Sequence, residues 1–567
     1  MRPALPLSPS PAVSGLLVSQ IGYDPALPRR AIVRGPAGHL SPRASFIVHD
    51  HTGAPRLDGL FSAWGEQWGS HWWIADLAPL TDSGRYRLTI QDSGCPALAS
   101  DEFLIEPHVL RSRTWAPVAI DQAERRQRIA NDKLGWYDAG THWQEANSHA
   151  AYLFGLADSL ERDASRISDS QRTRLIEQIV SGANYLGVLQ DLATQKGWSD
   201  GTLVHQSFKY DQLLVPGDVA KAAAAWARVA HVLPDSTHAR ERADYRSRAR
   251  RAIDYLSRNE PTPHLSFNFR AHGAPKDVDL PPEPSTPTLQ MWLWATVELA
   301  RDTPADIELR TRAFALANRL LARQATPAQA QDGLHGFFHL YDRSTFATKA
   351  WAHGMTFDDP RMSADIGCTF GLNLWPLFTL LETWPDAPDA PRWRAAIEHF
   401  AYGYFLPGCQ RNPFLITPNG LFPGEGLIWF AGLWHGANAI YGLAAAQALE
   451  FARRFNDQTF LAVAAGNLQW IAGLNAGLTR EALGSTYMFS MDVPPNVALP
   501  VSMINGVGGR DAGTWLNIRG SICNGFGTGE QFVWDIEPRR AHDGPHAFTD
   551  EDWITHAGAW LMALARL

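Results

Sequence analysis

The hydrophobic period of this 567-residue chain changes once, near residue 110, and that change limits the architectures open to it. Up to residue 106, short β-branched and aromatic runs ("LLVSQIGYD", "RAIVRG", "ASFIVHD", "HWWIADL", "GRYRLTI", "EFLIEP") are separated by Pro, Gly, Asp or Ser turns at about ten-residue spacing. That pattern predicts a small β-sandwich. From Arg111 the apolar residues recur instead at i, i+3 and i+4, over 112–128, 142–160, 169–193, 217–232, 238–257, 286–302, 304–323, 368–382, 391–404, 431–454, 457–474 and 551–566. Each stretch predicts a helix. About twelve helices without a sequence repeat strong enough for a solenoid predict six hairpins around a central axis, an α/α toroid with its site at one rim. The expected division is a tail over 1–15, a sandwich over 16–108 and the helical barrel over 109–567. Long connections at 258–285, 324–366, 405–430 and 475–549 are candidates for function, because loops beyond about 15 residues in a compact domain usually carry it.

Composition excludes several function classes. The net charge is −8 and no basic stripe is present, so a nucleic-acid partner is not expected. No apolar run reaches the roughly 18 residues that span a bilayer, so no membrane partner is expected either. The first residues, "MRPALPLSPSPAVSG", have no apolar core of signal-peptide length. A cytoplasmic location is expected, and a secreted or periplasmic one if the N-terminus is trimmed. Cys95, Cys368, Cys409 and Cys523 are far apart, with neither zinc-ligand spacing nor a disulfide framework. The pair Asp358-Asp359 is weak evidence for a cation, so no metal and no cofactor are expected. The 22 Trp include several beside Gly, His or Asn: Trp136, Trp198, Trp351, Trp429, Trp434 and Trp515. Flat aromatic faces in loops suit stacking on sugar rings, and core packing is the competing reading for each.

One stretch concentrates chemistry: "GWYDAGTHW", residues 135–143. Gly140 frees the chain to turn. Thr141 and Gln144 have the spacing of a capping box ahead of "HWQEANSHAAYLFGLADSL", a good helix. Asp138 then lies just before a helix N-terminus, whose dipole favours a carboxylate. An ionised carboxylate suits a general base. Assisting the turn is an equally good account of it.

This stretch resembles the GGWYDAGD loop of glycoside hydrolase family nine, the cellulase family. Other segments are similar to that family in the same order. "VSQIGYDP" resembles the first strand of its immunoglobulin-like domain, "PGDVAKAAAAWARVA" its PGSDVA helix, and "LWHGANAIYGLAAA" its WGS-x-x-x-A-x-N helix. "WIAGLNAG" resembles its YILG-x-NP turn and "FTDEDWITHAGAWLMAL" its closing NE helix. The resemblance covers nearly the whole chain. It implies an immunoglobulin-like β-sandwich followed by an (α/α)6 barrel, and inverting hydrolysis of a β-linked glycan without a cofactor. Inversion needs two carboxyl groups about 6.5–9.5 Å apart, one acid and one base. By the resemblance Asp138 matches the first Asp of DAGD and Glu551 the acid, with Asp550 as the match if a one-residue gap is placed differently.

The chain departs from that pattern where the chemistry is most demanding. Thr141 stands at the family's base position, and a hydroxyl cannot accept a proton as a carboxylate does. Three readings follow: Asp138 becomes the base; another loop carboxylate serves (Glu530, Glu425 or Asp511); or the cleft only binds glycan. The family's HHR motif is absent, leaving Arg510 as an analogue, which argues against an ordinary cellulase. A lyase or epimerase on the same toroid is a further alternative. Candidate substrate contacts are Trp136, Tyr137, Thr141, His205, Trp351, His353, Trp429, Trp434, His435, Arg510 and Trp515. The oligomeric state is not legible.

Overall fold

The structure, a computed structural model, describes residues 13–93, 98–130, 134–140, 143–208, 211–261, 283–339, 341–342, 374–422, 426–430, 438–483, 491–527, 545 and 547–567. Strands β1 (Gly15–Leu17), β2 (Arg30–Gly35), β3 (Ser45–Asp50), β4 (Pro55–Leu60), β5 (Ser62–Gln67), β6 (Ser70–Asp76), β7 (Gly84–Gln91) and β8 (Phe103–Ile105) form the sandwich. They make two antiparallel sheets, ordered β1-β2-β6-β5 and β4-β3-β7-β8, and a short antiparallel pair, β9 (Gly420–Phe422) and β10 (Gly426–Ile428), follows later in the chain. In β7 the alternate residues Tyr86, Leu88 and Ile90 face inward, the period-2 signature of a half-buried strand. β2 instead buries three consecutive residues, Ala31, Ile32 and Val33. Its sheet is covered on both faces, since Arg30 at the start of β2 donates to the carbonyls of Pro413 and Phe414 at 3.0 and 2.8 Å.

The helical part is an (α/α)6 barrel. Its outer helices are α1 (Val109–Ala116) and α2 (Gln122–Ile129), joined by a wide turn at Pro117, then α4 (Asp169–Gln195), α6 (Asp235–Arg258), α8 (Ile307–Ala322), α10 (Ala390–Phe400) and α12 (Thr459–Ala472). The inner helices are α3 (Ala146–Arg162), α5 (Pro216–Val232), α7 (Thr286–Arg301), α9 (Trp375–Thr383), α11 (Asn438–Phe455) and α13 (Ile554–Leu564). Outer helices bury one face; in α6 the buried residues are Tyr245, Ala249, Ala252, Ile253 and Leu256, an i, i+4, i+7 stripe. Inner helices are buried all round, as α5 is from Gly217 to Ala230. They pack in a ring: α3 on α5, α5 on α7, α7 on α9, α11 on α13, and α13 back on α3. Phe378 of α9 meets Phe451 of α11 edge to face, with centroids 6.1 Å apart, and so closes the ring.

The inner helices run parallel. A polar cavity at one end is lined by Asp158, Arg228, Glu298, Glu382, Glu450 and Arg566, each from the C-terminal part of a different inner helix or, for Arg566, just past the end of α13. Arginines there suit the negative ends of six helix dipoles. They are paired with acids, Arg228 with Asp158 at 2.8 Å and Arg566 with Glu450 at 3.1 Å. All six N-termini therefore open on the opposite rim.

Two predicted helix starts beside the open rim are displaced. The closing helix was expected from residue 551, but Ala547–Asp552 is strand β12, paired antiparallel with β11 (Cys523–Gly527). Pairing with a distant strand overrides the helical period of its apolar residues. The helix expected from residue 142 begins at Ala146, with extended Glu145 at its N-cap. The expected Thr141–Gln144 box does not start it, and Thr141 lies outside the described residues. Tertiary partners set this start: the Glu145 N–H donates to Asp138 at 2.8 Å and the Ala146 N–H to the carbonyl of His205 at 2.9 Å. Those bonds satisfy donors that a helix leaves open at its first turn. No helix of the described residues is long and apolar enough to cross a membrane.

Candidate active site

The open rim gathers the segments that precede α3, α5 and α13. Asp138 sits at their junction with no exposed surface. Its Oδ1 accepts the Ala139 N–H at 2.7 Å and its Oδ2 the Glu145 N–H at 2.8 Å. Its carbonyl accepts the Ile554 N–H at 3.1 Å, which ties the loop to the first residue of α13. Arg126 of α2 clamps the same loop. It is fully buried, pairs with Asp552, and donates to the carbonyls of Tyr137 and Asp138 at 3.0 and 3.2 Å and to Ser521 at 3.0 Å.

Burial, followed by the charge of Glu145, pushes the Asp138 pKa up to about 8 against its backbone hydrogen bonds. The helix dipole was expected to keep this carboxyl ionised. Loss of solvent and a nearby like charge are the larger effects, so Asp138 holds its proton at neutral pH.

Strand alternation sorts the acids of β12. Asp550 and Asp552 lie on the side of Cys523, whose thiol pKa is raised by burial and then by those two charges. Both are fully buried. Glu551 faces the other way, keeps 8% exposure, and its Oε2 accepts from Asn524 Nδ2 at 2.9 Å. Asn524 is oriented in turn by His556, whose Nε2–H donates to its Oδ1 at 2.7 Å. Burial, then Asp552, raise the Glu551 pKa well above the usual carboxylate range, with Glu145 adding to the effect against the Asn524 bond. A carboxyl held protonated is what a general acid requires.

Glu145 and His205 were not expected as a pair. His205 is buried, with Nδ1 2.7 Å from Asp218 of α5 and Nε2 3.5 Å from Glu145. Burial opposes charge on the ring, but Asp218 and then Glu145 outweigh it and hold His205 protonated well above its usual range. Glu145 also accepts from Asn147 at 3.2 Å and keeps 9% exposure. Of the five acids Asp138, Glu145, Asp550, Glu551 and Asp552, only Glu145 and Glu551 retain any exposure.

The other sequence candidates divide clearly. Trp515 is half-buried, beside Gly140 of the loop, and its backbone N–H donates to the Asp550 carbonyl at 3.1 Å. Tyr137 is half-buried in the same loop. Trp136 is not a stacking face: it is fully buried, donates to Gln178 at 2.8 Å and stacks on His149. Trp429 packs edge to face on Trp68 at 5.8 Å, inside the contact with the sandwich. Arg510 is drawn to that side too, pairing with Asp101 at 3.1 Å. Asp511 accepts the Gly506 N–H at 3.0 Å within its own loop. Thr141, Trp351, His353, Asp358, Asp359, Glu425, Trp434, His435 and Glu530 lie outside the described residues. Among the described residues no group of three or more His, Cys, Asp or Glu could hold a metal ion.

No protein-family model matches the sequence, and no curated protein is matched by it. Solved structures are similar in fold. A metagenome-derived glycoside hydrolase family 9 endoglucanase shares 18% identity and a TM-score of 0.62, over 97% of this chain and 98% of that one. The family 9 endoglucanase J30 shares 17% identity and a TM-score of 0.60, over 96% and 99%. The fold is that of the family 9 endoglucanases. Within this family 9 fold, the structure brings together Asp138, Glu551 and Trp515, which the sequence named, with Glu145, Arg126, Asn524 and Asp218, which it did not. Asp218 stands in a quoted segment, "PGDVAKAAA", but nothing there signals His205. Glu145 was visible only as the first acid after Thr141.

Proposed function

We propose that this rim hydrolyses a β-linked glycan or oligosaccharide with inversion at the anomeric carbon, and that Glu551 is the acid. One observation carries this reading. Glu551 is the acid of β12 that keeps exposure, and its surroundings hold it protonated where a leaving oxygen needs a proton. The fold shared with family 9 endoglucanases supports a glycan as the substrate class. The absent HHR motif and the diversion of Arg510 to Asp101 favour a substrate other than ordinary cellulose. Trp515 and Tyr137 offer the aromatic faces. Asp138, the expected base, is sealed and protonated, and serves by fixing the segment that leads to Glu145. Hydrolysis of this kind needs water and no cofactor.

A nitrophenolate leaves without protonation, while a sugar alkoxide needs it. Glu551→Gln is therefore expected to lose roughly 10²–10⁴-fold on an unactivated β-linked disaccharide and far less on the matching 4-nitrophenyl β-glycoside. Equal losses on both would reject Glu551 as the acid. Thr141 favours one rival, a glycan-binding protein on the same scaffold. It predicts binding of oligosaccharides with no product at any enzyme concentration.

A further inference from the structure

We infer that Glu145 is the general base of this site, replacing the carboxylate that Thr141 lacks. The inference rests on the hydrolase reading above and names its missing partner. Four observations carry it. Glu145 stands at the N-cap of α3, seven residues after Asp138, and its own N–H is fixed on Asp138 Oδ2 at 2.8 Å. Its carboxylate faces a histidine gripped from behind by Asp218 at 2.7 Å, and accepts from Asn147 at 3.2 Å. It keeps 9% exposure, where Asp138 has none. It lies within electrostatic reach of Glu551, whose proton it helps retain.

The division of charge follows from the partners. Asp552 is paired with Arg126, and Glu145 faces His205. Asp138 and Glu551 have no cationic side chain bonded to their carboxyls among the described residues, and they hold protons. Of the described acids that keep exposure at this rim, Glu145 has a cationic partner beside it and Glu551 has none, the contrast between base and acid that inversion uses. In the step, a water oxygen attacks the anomeric carbon while one of its protons passes to Glu145. The bond from that carbon to the glycosidic oxygen breaks, and its electron pair stays on the oxygen, which takes the proton of Glu551. A hemiacetal of opposite configuration and a free alcohol result. Solvent returns the proton from Glu145 to Glu551. Asp138 and His205 are positioning residues in this scheme, His205 facing the Glu145 carboxyl at 3.5 Å.

The test uses the full chain and three 4-nitrophenyl β-glycosides (glucoside, cellobioside, glucosaminide), followed by the unactivated disaccharide of the one cleaved fastest. Glu145→Gln is expected to lower kcat/KM by roughly 10²–10⁴-fold, equally on the activated and unactivated substrates. Azide should restore turnover to Glu145→Ala and give the α-glycosyl azide. Glu145→Asp keeps the charge beside His205. If Glu145→Gln does not fold, Glu145→Asp carries the test and must show a lowered kcat with KM within threefold of the parent. A Glu145→Gln protein within threefold of the parent, or a Glu145→Ala protein that azide does not rescue, overturns the role of Glu145 and leaves the hydrolase reading standing. A parent protein that cleaves none of the substrates overturns both.

Discussion

Among the described residues no cationic side chain bonds the Asp138 carboxyl to offset its burial, and the consequence depends on pH. Its folded pKa of about 8 lies above the unfolded carboxylate value near 3.9. The folded state therefore binds more protons between those two values. Stability attached to this group is complete below about pH 4 and is lost as pH rises through about 8. Glu551 and His205, both shifted upward, act with the same sign. Asp138→Asn removes one of the three. Its Tm is expected to fall less steeply than the parent's between pH 4 and pH 8, and parallel curves would reject the assignment. Asp138 and Glu551 were legible in the sequence because they sit in short segments that resemble known ones. Glu145 was not. Its proposed role depends on His205 and Asp218, 60 and 73 positions further along, and on which neighbours lose their solvent.

At the scale of elements, the rim is held in shape by close backbone contact between α3 and α13. A Cβ on Gly155 would lie 2.3 Å from the carbonyl oxygen of Gly558, and one on Gly558 would lie 2.2 Å from that of Ala151. Backbone cannot move aside as a side chain can. Gly155→Ala is expected to destabilise by about 1–3 kcal/mol, measured by urea unfolding, and to slow turnover by shifting Glu145 at the head of α3 relative to Glu551 ahead of α13. An unchanged unfolding midpoint would contradict that packing. The helical period revealed these helices and their order, because burial of an apolar face is a local pattern in sequence. Their starts were less legible. The Glu145–Ala146 start is set by Asp138 and the His205 carbonyl, and the β11–β12 pairing by residues twenty or more positions apart.

At the scale of the molecule, the sandwich is seated on the barrel through Trp68, at the turn between β5 and β6. Trp68 is 6% exposed, lies parallel to Phe414, and meets Phe430 and Trp429 edge to face at 5.1 and 5.8 Å. Trp68→Ala is expected to cost about 3–5 kcal/mol and to split one thermal transition into two by calorimetry. A single transition at the parental Tm would contradict the seat. Both halves of the chain were legible from the change of period near residue 110. Their joint surface was not, because Trp68 and Trp429 look like any loop tryptophan until their partners are known.

Hydrolysis of a β-linked glycan with inversion is the activity proposed for this rim. Proton NMR of the anomeric signals during cleavage of the fastest 4-nitrophenyl β-glycoside tests it most directly. With inversion, the α-anomer is expected to appear first and the β-anomer only later, by mutarotation. The β-anomer appearing first, or no sugar released from any β-glycoside, would contradict it.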